Sequence, residues 1–103
     1  MPRAMAHFLY KLIPPRPTFL GDMTQDEGAI MKEHFGYWER LIGERKVVAY
    51  GPVADPGGGY GLAVLEVDDE ASATTIADND PAITAKAGFG FELHPMPDAT
   101  VRP

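Results

Sequence analysis

Apolar and polar residues alternate from His7 to Ile13, with Phe8, Tyr10 and Leu12 on one face and His7, Leu9, Lys11 and Ile13 on the other. A period of two with aromatic and β-branched content predicts a strand. Pro14, Pro15 and Pro17 end it, because proline has no N–H for the ladder. The loop that follows, to Met23, carries Phe19 and Leu20, two large apolar groups expected to find cover. From Thr24 the period lengthens. Thr24 and Glu27 form a capping box, and Ile30, His34, Tyr37, Trp38, Leu41 and Ile42 then recur at helical spacing on one face. Gln25, Asp26, Lys32, Glu39 and Arg40 take the other side. Gly28 and Gly36 each weaken that helix by about 1 kcal/mol relative to alanine, and are expected to admit a close backbone neighbour. Gly43 marks its end region.

A second strand is predicted from Lys46 to Val53, closing at Gly51-Pro52, and a third from Tyr60 to Val67. The turn signal Asp55-Pro56-Gly57-Gly58-Gly59 between them makes the pair a β-hairpin. Asp68 or Asp69 caps a second helix with Ala73, Ile76 and Ala77 as its apolar stripe, and Asn79-Asp80-Pro81 stops it. After a turn-like stretch, Phe89, Phe91 and Leu93 alternate with Gly90, Glu92 and His94 in a last strand. Residues 96–103 read as a tail, expected to be mobile. The order strand, helix, strand, strand, helix, strand is the βαββαβ pattern of an α+β, ferredoxin-like domain with a four-stranded antiparallel sheet and both helices on one face. Strands two and three are apolar on both faces: simple alternation sets Val47 and Ala49 against Val48 and Tyr50, and Leu62 and Val64 against Ala63 and Leu65. A sheet face left to water would be polar. A second copy packed sheet to sheet, as a homodimer, is the expected remedy.

Length and composition narrow the functional classes. The 103 residues suit one domain, with a core at about 7–95. Fifteen acidic residues against nine basic ones give a net charge of −6 and no basic patch, which argues against a nucleic-acid partner. Cysteine is absent, which removes disulfides, thiolate nucleophiles and thiolate metal sites. The apolar run at residues 8–13 is interrupted by Lys11 and too short for a signal-peptide core or a membrane span. These features read as a cytoplasmic protein without a membrane partner.

The run His34-Phe35-Gly36-Tyr37-Trp38-Glu39-Arg40-Leu41, Val47 to Gly51-Pro52, Gly61 to Val67, and Asp80-Pro81 together resemble the YCII-related family. The resemblance implies a dimeric α/β barrel made of two ferredoxin-like sheets, with a pocket that pairs a histidine and an aspartate. It extends to dehydrochlorinases acting on chlorinated hydroxylated aromatics, to lactone isomerases and to cofactor-free monooxygenases. The proline-rich loop after the first strand and the triplet Gly57 to Gly59 depart from compact members, and both bear on pocket size.

His34 lies in the apolar stripe and points inward. Position alone favours a core imidazole satisfied by a carbonyl; the resemblance favours a catalytic pair with Asp80, held rigid before Pro81. An aspartate would fix the tautomer and make the other nitrogen a base. Tyr10, Trp38, Tyr50, Gly51, Pro52 and Phe91 are the expected substrate-binding residues, with Tyr10 or Tyr50 donating to a developing oxyanion. Elimination, isomerisation and hydration all start with such a proton abstraction, so the expected activity is a cofactor-free lyase or isomerase acting on a small, possibly aromatic, ligand. The alternative is a non-catalytic small-molecule binding or sensor subunit with the same pocket. No cofactor or metal is expected. His7, His34 and His94 lack ligand spacing, Asp78-Asn79-Asp80 lacks the rest of a calcium loop, and the glycine triplet precedes a strand and not a helix, so it cradles no phosphate. Ser72, the only serine, has no nucleophile elbow around it.

Overall fold

Strand β1 (Ala6–Ile13) occupies an inner position of a four-stranded sheet in the order β2-β3-β1-β4, with β2 at Val47–Val53, β3 at Tyr60–Val67 and β4 at Gly90–Pro95. Every pairing is antiparallel. The computed structural model describes residues 5–103; residues 1–4, which precede the apolar run read above as too short for a signal-peptide core, lie outside them. Helix α2 (Gln25–Gly43) follows β1 and helix α3 (Glu70–Asp78) follows β3, giving the α+β ferredoxin-like arrangement with an open sheet. Among the described residues, no helix is long and apolar enough to cross a membrane.

The period-two reading of β1 is realised in full. Phe8, Tyr10 and Leu12 are buried under the helices, and their partners Leu65 and Ala63 on β3 are equally covered. Helix α2 starts where the capping box places it: Thr24 accepts from the Glu27 amide at 3.1 Å, and Glu27 accepts from the Thr24 amide at 2.9 Å. Its buried face is Met31, His34, Trp38 and Leu41. Ile30, Tyr37 and Ile42, which the stripe also included, flank that face half-buried. Asp69 is the cap of α3, accepting from the Ser72 amide at 2.9 Å.

Three local readings change. The register of β2 shifts between Val47 and Ala49, so Val47 opposite Leu65 and Tyr50 opposite Ala63 both face the helices, while Ala49 opposite Val64 faces outward. The extra residue of this bulge, Val48, breaks the simple alternation that paired Val47 with Ala49. Gly36 admits no neighbour, since a Cβ there would meet nothing within 4 Å; Gly28 approaches only Met23 Sδ, at 3.9 Å. Two single-turn helices also interrupt segments expected to be loops, α1 (Phe19–Asp22) and α4 (Pro81–Thr84).

Candidate functional site

Asp80 is fully buried, an ionisable group in the hydrophobic core. Burial of that kind requires compensation, and the chain supplies it from four directions. The carboxylate caps α4, where Oδ1 accepts from the Ala82 amide at 2.9 Å; Pro81 at the first helical position has no N–H to satisfy. Oδ1 also accepts from His34 Nδ1 at 2.8 Å. Oδ2 accepts from the Tyr10 hydroxyl at 2.7 Å and from Trp38 Nε1 at 2.9 Å. His34 and Trp38 stand four residues apart on the buried face of α2, one turn of helix, and Tyr10 lies mid-strand on the inward face of β1. The helical stripe and the strand alternation therefore converge on one carboxylate.

Burial pushes the Asp80 carboxyl up, but the His34 hydrogen bond and charge, aided by Tyr10 and the Ala82 amide, outweigh it and leave the group below the usual carboxylate range. Asp80 is thus ionised at neutral pH. An ionised carboxylate only accepts, so His34 Nδ1 carries a proton and, in the neutral ring, Nε2 carries the lone pair. Nε2 has no hydrogen-bond partner among the described residues, while every fully buried side-chain nitrogen and oxygen among them has one. Nε2 is therefore not sealed off by protein, and His34 is one of the residues that line the cavity.

That cavity has a volume of about 60 Å³. Tyr10, Trp38, Tyr50, Gly51 and Pro52 line it, together with Phe19, Leu20 and Met23 from the loop after β1. None of its lining residues is Lys, Arg, Asp or Glu. Phe91 is not among the lining residues; it packs behind Tyr10, ring centroids 5.5 Å apart, and Phe89 reaches the cavity instead. The expected oxyanion donors are otherwise engaged. Burial first, then the charge of Asp80, raise Tyr10 far above an ordinary phenol, so it stays a donor to that carboxylate. Tyr50 donates to Glu39 Oε2 at 2.6 Å, which raises it as well.

Sequence reasoning paired His34 with Asp80 but missed that Tyr10 and Trp38 hold the same carboxylate. A signal existed, since buried Tyr and Trp carry a polar tip that needs a partner. Tyr37, raised to about 12 by burial and the nearby Asp80 charge, donates to the Ile76 carbonyl at 2.8 Å and ties α2 to α3 beside the cluster. Among the described residues no three His, Asp or Glu side chains converge as metal ligands would. In comparison with protein families, residues 8–96 match the YCII-related domain. No curated protein matches the chain.

Proposed function

The chain belongs to the YCII-related family, and from that premise we propose that it is a cofactor-free lyase- or isomerase-type enzyme in which His34, oriented by Asp80, takes a proton from a small uncharged substrate. The observation that carries this reading is the 2.8 Å contact between His34 Nδ1 and Asp80 Oδ1, with His34 lining an apolar cavity and its Nε2 unpartnered among the described residues. A proton moving from a C–H or O–H of the substrate to Nε2 leaves an imidazolium whose charge Asp80 balances, and the freed electron pair remains on the substrate to form a double bond or expel a leaving group. Such base catalysis contributes about 10²–10⁴-fold. A neutral lining favours an uncharged substrate over a carboxylate or phosphate.

Size limits the substrate further. The 60 Å³ cavity holds only a few waters, at about 10–15 Å³ each, whereas a buried benzene occupies a cavity of about 150 Å³. An aromatic substrate would therefore present its reactive edge to His34 and leave its body towards the mouth. The reading also includes a cytoplasmic setting and a homodimer formed through the open sheet face.

A second reading, a ligand-binding or sensor subunit without turnover, is favoured by the commitment of Tyr10 and Tyr50 to Asp80 and Glu39, which takes both phenols away from a developing oxyanion. His34→Gln separates the two. With a panel of chlorinated phenols and lactones as probes, the enzyme reading expects turnover by the parent chain to fall about 10²–10⁴-fold in the variant with binding retained. A binding subunit shows no turnover in either protein and loses affinity alone. Turnover unaffected by His34→Gln would refute the assigned base.

A further inference from the structure

The segment from Pro14 to Met23 joins β1 to α2, and it is fastened along its length. Arg16 donates to Asp22 Oδ1 at 2.8 Å and to the Asp22 carbonyl at 2.9 Å, and grips both oxygens of Glu27 at 2.7 and 2.8 Å. Glu27 is the same residue that closes the capping box, so the segment is tied to the first turn of α2. Its proline side rests on glycines: a Cβ on Gly58 (φ +143°) would fall 3.2 Å from Pro17 Cβ, and one on Gly88 (φ +93°) 3.0 Å from Pro15 Cβ. A Cβ on Gly59 would overlap Leu20 Cδ1 and lie 2.9 Å from its Cγ. The positive φ of Gly58 and Gly88 favours glycine, and a side chain at Gly59 would displace Leu20, so the strap seats on the β2–β3 turn and on the turn before β4. Its inner side is part of the cavity wall: Phe19 is 1% exposed and meets Phe89 edge-on at 5.2 Å, while Leu20, 48% exposed, stands between cavity and solvent.

We propose that this strap is the size filter of the cavity, with Leu20 setting its limit and Arg16 holding it closed. The inference rests on the reading of the cavity as a ligand site. It makes Leu20 a specificity-determining residue and Arg16 a positioning residue, since Arg16 acts through the strap and does not line the cavity. The proline-rich loop and the glycine triplet are then two halves of one device: each supplies the surface on which the other is seated.

Trp38 is the only tryptophan and is 1% exposed at the cavity wall, so its fluorescence reports on this site. The test compares its quenching by acrylamide and by the larger, equally neutral succinimide. The parent chain resists both, succinimide more. Leu20→Ala raises the succinimide quenching constant several-fold and the acrylamide constant less; Arg16→Met raises both. Near-UV circular dichroism verifies that each variant is folded, and if Arg16→Met unfolds, Leu20→Ala, truncated at a half-exposed side chain, decides the matter. Constants in folded Leu20→Ala equal to those of the parent chain overturn the proposal. Because no turnover is required, the result stands whether or not His34 acts as a base.

Discussion

His34 Nδ1 reaches both oxygens of Asp80, at 2.8 Å from Oδ1 and 3.0 Å from Oδ2, while the Ala82 amide adds to Oδ1 and Tyr10 and Trp38 to Oδ2. This layout predicts what Asp80→Asn does. The amide nitrogen must replace either Oδ2, orphaning Tyr10 and Trp38, or Oδ1, facing His34 and the Ala82 amide. The second is the cheaper, because His34, whose shorter contact is to Oδ1 (2.8 against 3.0 Å), can shift its proton to Nε2 and accept at Nδ1 from the new amide. Two donors, the Ala82 amide and the second hydrogen of the new side-chain amide, then lack an acceptor, at a cost of about 1–3 kcal/mol each. Denaturant unfolding at pH 7 should show that loss, and nitrogen NMR of His34 should show the proton moved to Nε2, where the ring can no longer serve as a base toward the cavity. The variant also isolates a pH effect. The folded carboxyl lies below its unfolded value, so its contribution to stability is complete above pH of about 4 and is lost as pH falls through the folded value. The parent chain should lose stability on that acid limb with a steeper slope than Asp80→Asn. Equal slopes would mean that Asp80 titrates alike in both states. Periodicity put His34 on the inward stripe, and Asp-Pro marked a rigid cap, but position alone favoured a carbonyl partner for the imidazole. The resemblance to the YCII-related family supplied the pairing with Asp80, which the 2.8 Å contact matches. The other two donors were not legible, because hydrogen bonds across 70 and 42 residues of sequence leave no periodic trace.

Among the elements, periodicity located both long helices and all four strands to within a residue or two. What it could not see were features of less than one period. A single extra residue at Val48 reverses the faces of β2, and pattern alone cannot count it, since Val47, Val48, Ala49 and Tyr50 are all apolar. The single-turn helices α1 and α4 are too short to show a stripe. Gly36 was read as a packing glycine, but it lies exposed on α2 with open space where a Cβ would be. Helix propensity then acts unopposed, and Gly36→Ala should stabilise the protein by about 1 kcal/mol in thermal or denaturant unfolding. A destabilised Gly36→Ala would mean that another surface occupies that side of α2 in solution.

Across the whole molecule, the two faces of the sheet are treated unequally. The inner face is covered by helices and closed by the Asp80 cluster. On the outer face, Leu9, Val64 and Ala49 lie side by side across β1, β3 and β2, with Leu62 next along β3. Polar pairs surround this strip: His7 with Glu66 at 2.8 Å, Lys11 over the Tyr60 ring at 4.5 Å, and Glu92 with His94 at 3.0 Å. An apolar centre with a polar rim is the layout of a protein interface, and a two-fold axis through Val64 would set like strips against each other. Val64→Glu tests this directly. In a monomer a glutamate on a half-exposed strand position changes stability by about 0.5 kcal/mol or less, and sedimentation equilibrium finds one chain mass for parent and variant alike. In a sheet-to-sheet dimer the same substitution sets two carboxylates against each other in a dry interface, so the parent sediments at twice the chain mass and the variant at one. The variant's melting temperature should then drop and, unlike that of the parent, cease to depend on protein concentration. A parent chain that sediments at one mass across that concentration range would remove the homodimer and leave the His34–Asp80 pair, whose carboxylate takes all its described donors from its own chain, untouched.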